Sequence, residues 1–299
     1  MQYIADDTPV HRIAIPGSHD AGTVGMNAFA CTQSNSIYAQ LLGGVRYFDT
    51  RVLLKGSEAV IFHGIVTGEK FEPIVQSFEK FLQDNPSEFV IIDFQKIGKD
   101  ASSTILSILQ ECGLSKRALV MPEGMEQNAW LRSLTMGDVR GKVLLTWGES
   151  DGKPTPIPSG YENMLFRRNN DGCTLNDSVL DSLYIGELHQ KSSQDFILEA
   201  MPVYHEHGAT TDAAFWVLQC QLTGGHIERA ENAHNPNMQR YLDEMVQDET
   251  LLSQVNIVMR DFICEGHPTK IQQILHMNVL KGYVADDAKE LFAYTSSQQ

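Results

Sequence analysis

Three short stretches near the N-terminus hold the side chains best suited to acid–base chemistry. Ile15-Pro16-Gly17-Ser18-His19-Asp20-Ala21-Gly22-Thr23 places a histidine and an aspartate in a turn-forming context just after an apolar run. Gly44-Val45-Arg46-Tyr47-Phe48-Asp49-Thr50-Arg51 alternates so that Tyr47, Asp49 and Arg51 share one face of an extended strand. Val60-Ile61-Phe62-His63-Gly64 reads as a short strand that ends on a histidine. Each stretch also has an ordinary structural reading. His19 serves as a cap or core residue, Arg51 as the partner of Asp49 or Asp20 in an internal salt bridge, and His63 as a satisfied strand-end histidine. Taken together, two imidazoles, an arginine and nearby carboxylates suit phosphodiester cleavage. One imidazole removes a proton from the attacking hydroxyl and the other protonates the leaving oxygen. The guanidinium carries the charge that grows on phosphate, and carboxylates set the histidine tautomers.

These side chains need strands to aim them. Short apolar runs at 13–15, 45–54, 88–94, 118–121, 142–147, 183–188, 215–220 and 255–262 read as about eight strands. Helical spacing recurs between several of them, over 71–84, 102–112, 193–201, 237–246 and 269–280. Phe71, Ile74, Val75, Phe78, Phe81 and Leu82 form one stripe, and Gly113 fits the residue after a helix C-terminus. Strands alternating with helices imply parallel pairing, and about eight of them imply a closed barrel, made irregular by the uneven repeat. An open doubly wound sheet is the alternative. The Pro- and Gly-rich stretch 148–160 is either a boundary or a long loop.

The 299 residues are 42% hydrophobic and 20% charged, enough apolar surface for a sizeable core. A net charge of −15 argues against nucleic acid as a partner and against strong electrostatic attraction to anionic membranes. No apolar run approaches the ~20 residues that span a bilayer. The N-terminus lacks the basic and apolar regions of a secretory signal, so a cytoplasmic location is the default expectation, although a trimmed secreted form would read the same. Cys31, Cys112, Cys173, Cys220 and Cys264 are scattered and are expected to be isolated, mostly buried thiols.

The order Ile-Pro-Gly-Ser-His-Asp, Gly-Val-Arg-Tyr-Phe-Asp-Thr-Arg, Phe-His-Gly and Asn85-Pro86-Ser87-Glu88-Phe89-Val90-Ile91-Ile92-Asp93-Phe94 resembles the X domain of phosphatidylinositol-specific phospholipases C, over residues 12–95. It is most similar to the small single-domain members. Val255-Asn256-Ile257-Val258-Met259-Arg260-Asp261-Phe262 resembles the family's last barrel strand. The resemblance implies a distorted (β/α)8 TIM-type barrel forming one catalytic domain over residues 1–299. It implies His19 as general base, His63 as general acid, Arg51 on the phosphoryl oxygens, Asp261 orienting the base and Asp20 assisting the acid. The implied reaction is attack by the inositol 2-hydroxyl on phosphorus, giving diacylglycerol and inositol 1,2-cyclic phosphate. The implied setting is a phospholipid substrate met at a membrane surface by a monomer. No cofactor is expected: large calcium-dependent members carry a carboxylate where Arg51 stands, and a guanidinium there repels a cation.

Departures from the family concern the head group. Bacterial members carry a lysine after the Ile-Ile strand, where this chain has Gln95 with Lys96 beside it. Their later arginine aligns near Thr146 and Trp147, and their Asp-x-Tyr inositol platform aligns loosely with Glu187-Leu188-His189. Lys96, Glu187 and His189 are therefore the candidate substrate-binding residues, with rim residues of no special role as the alternative for the last two. His205-Glu206-His207 reads as a solvated loop rather than a metal site. His226, His234 and His267 read as loop residues near the cavity mouth. Trp147 and Trp216 read as core, with a lipid-facing rim as the alternative. Two rivals remain open: a metal-dependent barrel phosphodiesterase acting on another lipid head group, and a non-catalytic inositol-lipid-binding module.

Overall fold

A closed barrel of eight parallel strands organises the chain. The computed structural model describes residues 1–169, 177–265 and 270–294. In chain order the strands are β1 (Ile15–Ser18), β2 (Tyr47–Lys55), β3 (Glu58–His63), β4 (Val66–Lys70), β5 (Val90–Ile97), β6 (Val143–Ser150), β7 (Lys153–Pro154), β8 (Leu165–Asn169), β9 (Leu180–Asp181), β10 (Phe215–Gln219) and β11 (Ile257–Arg260). The circuit β1-β2-β5-β6-β8-β9-β10-β11 is parallel throughout and closes where β11 pairs with β1. β3 and β4 extend β2 as antiparallel strands, and β7 folds back on β6.

Side-chain alternation sorts the core into two layers. Ile15, Tyr47, Ile91, Leu144, Phe166, Ile257 and Met259 belong to one buried apolar cluster. Phe48, Val52, Ile92, Phe94, Leu145, Trp147 and Val258 belong to the other, with the apolar stripes of the surrounding helices. The helix Phe71–Asp84 buries Phe71, Ile74, Val75, Phe78, Phe81 and Leu82 on that layer, as its spacing predicts. Trp147 and Trp216 are core residues.

Several expectations need correction. Pro16, Gly17 and Ser18 lie within β1 rather than in the turn, so His19 and Asp20 follow the strand directly. A Cβ on Gly17 would stand 3.0 Å from the Tyr47 ring and 3.3 Å from the Met259 backbone, which explains a glycine in a closely paired strand. Residues 118–121 form no strand and contribute one bridge, Ala118 to Val143. Residues 183–188 are not a strand either; the strand is Leu180–Asp181, and a helical turn covers Gly186–His189. β8 was not anticipated because Arg167-Arg168 interrupts its apolar run, yet Arg168 is buried and its Nε lies 2.9 Å from Asp93 Oδ1. The helices Ser193–Thr210 and Ile227–Met245 run through Pro202 and Pro236, the residues at which the sequence pattern suggested ends. His205-Glu206-His207 is accordingly helical, with His205 buried. Gly113 adopts φ 84°, as a residue closing a helix should. Among the described cysteines, all free, only Cys220 is fully buried; Cys173 and His267 lie outside the described residues.

Candidate active site

The two turns that leave β1 and β11 set the site. Ser18 pairs in register with Arg260, so the next residues, His19 and Asp261, stand side by side at the C-terminal rim of the barrel. His19 Nδ1 lies 2.7 Å from Asp261 Oδ1. Nδ1–H is the donor to a carboxylate, which leaves Nε2 of a neutral ring as the base. Both residues are buried, at 6% and 1% exposure.

β2 supplies the cation. Alternation places Tyr47, Asp49 and Arg51 on the inner face, and Asp49 continues the level of His19. Arg51 Nε is 2.6 Å from Asp20 Oδ1 and Nη2 is 3.1 Å from Asp49 Oδ2. Both of the structural partners considered for Arg51 are thus present, yet the guanidinium also lines an open cavity of about 550 Å³. β3 ends on His63, whose Nδ1 is 2.9 Å from the Ala30 carbonyl oxygen. A carbonyl only accepts, so Nδ1 carries a proton and Nε2 faces the site, 3.6 Å from Asp20 Oδ2. His19 Nε2 is 3.4 Å from the same oxygen. The two reactive nitrogens and the guanidinium therefore surround one carboxylate.

Burial alone would lower the His19 pKa, but the carboxylates of Asp20, Asp261 and Asp49 outweigh it and hold it up to about 9. Burial raises the Asp261 pKa, against the pull of His19. Burial would also raise Asp49, but Arg51 and His19 more than offset this and lower it. His19, Asp20 and Asp49 offer donor atoms within 4.8 Å of one another, a set of the kind that holds a metal ion. Arg51 sits on two of those three groups, and its fixed charge opposes a cation there.

The cavity lining continues around the barrel through Gln95 and Lys96 on β5, Glu149 on β6, Tyr184 after β9 and Gln219 on β10. Strict alternation forbids neighbours Gln95 and Lys96 from facing one cavity. A register shift after Thr50 makes Arg51 pair with Lys96, so Gln95 is an extra residue and both face inward. The shift also accounts for Gly148, where a Cβ would stand 2.3 Å from the Gln95 carbonyl oxygen. Lys96 is exposed on the cavity wall, as a substrate-binding role requires.

Glu187 and His189 are placed differently. Glu187 is exposed and is not among the residues lining this cavity. His189 is buried, with Nδ1 2.5 Å from the Gln221 carbonyl and Nε2 2.7 Å from the Tyr204 hydroxyl. The aromatic ring of this segment that lines the cavity is Tyr184, which stacks on His189 at 4.4 Å. Its sequence signal was Ser182-Leu183-Tyr184, which keeps the tyrosine of an Asp-x-Tyr pattern without its aspartate. Thr146 donates to Asp93 Oδ1 at 2.6 Å, and Trp147 is core, so neither supplies a substrate contact in place of the missing arginine. His234 is buried within its helix, whereas His226 packs against Phe29 at the mouth.

Residues 7–148 match the family model "Phosphatidylinositol-specific phospholipase C, X domain". The 1-phosphatidylinositol phosphodiesterase of Listeria monocytogenes is 28% identical over 176 residues, covering 56% of this chain and 53% of that protein. The human PI-PLC X domain-containing protein 1 is 26% identical over 140 residues, covering 35% of this chain and 43% of that protein. These alignments thus span about half the length of the curated relatives. Among solved structures, the phosphatidylinositol-specific phospholipase C from Listeria monocytogenes superposes with a TM-score of 0.65 at 20% identity, covering 93% of this chain and 97% of that one. A mutant of the Staphylococcus aureus enzyme gives 0.69 at 15% identity, covering 92% and 95%. The fold is that of these barrels.

Proposed function

We propose, for a chain similar to the phospholipase C X domain over residues 7–148, that it cleaves phosphatidylinositol or a related inositol lipid without a metal ion. The observation that carries the reading is the convergence of His19 Nε2, His63 Nε2 and the Arg51 guanidinium on one point at the rim of the cavity. His19 takes the proton of the inositol 2-hydroxyl as that oxygen bonds to phosphorus. His63 gives a proton to the diacylglycerol oxygen as its bond to phosphorus breaks. The products are diacylglycerol and a cyclic inositol phosphate. Because nucleophile and phosphorus belong to one molecule, no water has to be positioned for this step. Arg51 carries the charge gathering on the phosphoryl oxygens, and Asp261 accepts from Nδ1–H so that Nε2 is the free nitrogen once the ring is neutral; with the His19 pKa held up to about 9, that neutral fraction and the rate rise with pH toward 9.

A lipid substrate agrees with the apolar side chains beside the mouth. Phe29 lines the cavity yet is 70% exposed, and Ile65, two residues beyond His63, is fully exposed. Among the described residues no helix is long and apolar enough to cross a membrane. The test is release of diacylglycerol by chelator-treated protein from vesicles of phosphatidylinositol, with phosphatidylcholine and sphingomyelin vesicles in parallel. Release from the inositol lipid alone, unchanged by chelator, is expected. Activity that returns only with added magnesium or calcium would favour the metal-dependent rival instead.

A further inference from the structure

The elements that carry His19, His63 and Asp261 are joined by one short segment that touches all three. Ala30 supplies the carbonyl that fixes His63 Nδ1. The Thr32 hydroxyl lies 3.0 Å from the carbonyl oxygens of both His19 and Asp20, and the Thr32 carbonyl accepts the Phe262 N–H at 2.7 Å. Gln33, 1% exposed, uses its amide in full view of both turns. Its Nε2 donates to the His19 carbonyl at 2.9 Å and to the Arg260 carbonyl at 3.0 Å, and its Oε1 accepts the Ile263 N–H at 3.1 Å.

We infer that Gln33 is a positioning residue, a staple that sets the separation of His19 and Asp261. The two residues sit on different turns more than two hundred positions apart in sequence, and their 2.7 Å contact needs those turns held at a fixed spacing. Both turns contain a non-glycine residue in the left-handed region, Asp20 and Phe262, each at φ 44°. Such a conformation costs of order 1–3 kcal/mol and persists only where neighbours over-determine it. Residues 30–33 provide that over-determination. Among the side chains of this size, only a glutamine amide gives two donors and an acceptor without charge. A carboxylate at this position would face two carbonyl oxygens, and an apolar isostere would leave the buried Ile263 N–H without its partner and strip one bond each from the His19 and Arg260 carbonyls, which keep the Thr32 hydroxyl and the His19 N–H. Gln33 itself does not line the cavity, so it acts through His19 and Asp261 rather than on substrate.

The kinetic part of the test rests on the proposed reaction; the spectroscopic part does not. Gln33→Met is compared with Gln273→Met, which removes another buried amide, one that bonds Gln239 and Asp243 between two helices. Gln33→Asn, too short to reach both turns, serves if the methionine variant does not fold. The proton between His19 Nδ1 and Asp261, assigned by its disappearance in His19→Ala, should resonate far downfield in the wild type and in Gln273→Met. In the Gln33 variants it should be lost or moved upfield. kcat on phosphatidylinositol should fall roughly 10- to 100-fold with KM nearly unchanged, the scale expected for a displacement of about 1 Å. A folded Gln33 variant that keeps the downfield proton at its wild-type position would overturn the inference, whatever the activity. If no variant or wild type turns over the lipid while the downfield proton responds as expected, the staple stands and the proposed reaction fails.

Discussion

The two walls of the cavity are built on different terms. On the side formed by β1, β2, β3 and β11, every functional group already has a partner: His19 with Asp261, Arg51 with Asp20 and Asp49, His63 with the Ala30 carbonyl. On the side formed by β5, β6 and the segment after β9, Lys96 and Glu149 stand level in register but, among the described residues, form no ion pair. Groups that must meet a transition state need fixed positions and set protonation states, and partners provide both. Groups that recognise a head group are served by being free to engage it. Under the proposed reaction, the difference assigns the chemistry to the first wall and the choice of head group to the second.

Substitutions should separate the walls. His19→Ala should remove the base and reduce kcat/KM by about 10³-fold or more, and Asp261→Asn should approach that loss by releasing the tautomer. Arg51→Lys, which keeps charge but loses the fork that spans both carboxylates, should cost about 10²- to 10³-fold, read in kcat from steady-state rates. A loss in KM alone would move Arg51 from the reaction to ground-state binding.

His63→Ala should be nearly as damaging on a natural lipid. It should recover most of its activity on an inositol phosphodiester with a good leaving group, such as a nitrophenyl ester, because such an oxygen departs unprotonated. Equal loss on both substrates would argue against His63 as the acid. On the second wall, Lys96→Ala and Glu149→Gln should change KM and the ranking of head groups by about 5- to 150-fold, the 1–3 kcal/mol of a lost polar contact, with kcat little altered. If either lowered kcat by orders of magnitude, the two walls would not be divided as described.

The smallest effect is thermodynamic. His19 binds its proton more tightly in the folded chain, with a pKa of about 9 against an ordinary 6.5. That binding stabilises the fold fully below about pH 6.5 and is lost as pH rises toward 9. Thermal melting should show the wild type losing stability relative to His19→Ala across this window, by an amount on the order of 3 kcal/mol. Parallel curves would mean that His19 is already neutral near pH 7. Lys281 shifts the opposite way, to about 7 through burial, which is why the comparison with His19→Ala is needed rather than the wild-type curve alone.

The catalytic wall was legible in the sequence because its residues lie in local blocks whose spacing is fixed by strand alternation. Tyr47, Asp49 and Arg51 could be assigned to one face from periodicity alone. Asp261 came from resemblance, and no local pattern connects it to His19. The second wall was harder. A register shift inserts Gln95 and breaks the alternation by which inward-facing residues on a strand are assigned. β8 hid behind a pair of arginines, one of them paired inside the barrel. His189 is a substrate candidate only through a loose alignment with the Asp-x-Tyr platform, and its polar neighbours are distant in sequence: Gln221 and Tyr204 satisfy both ring nitrogens, and Tyr184 faces the cavity. Gln33 gave no signal at all, since a buried amide bridging two distant turns has no periodicity.

The central claim is that two histidines at one rim pass a proton in and a proton out around a phosphodiester without a metal. Phosphorus NMR of chelator-treated protein on phosphatidylinositol micelles reads this directly, with His19→Ala and His63→Ala alongside. The account predicts a cyclic phosphodiester resonance in the wild type that is absent from both variants over the same interval. A phosphomonoester formed with no cyclic intermediate, or a cyclic product made equally well without either histidine, would contradict it.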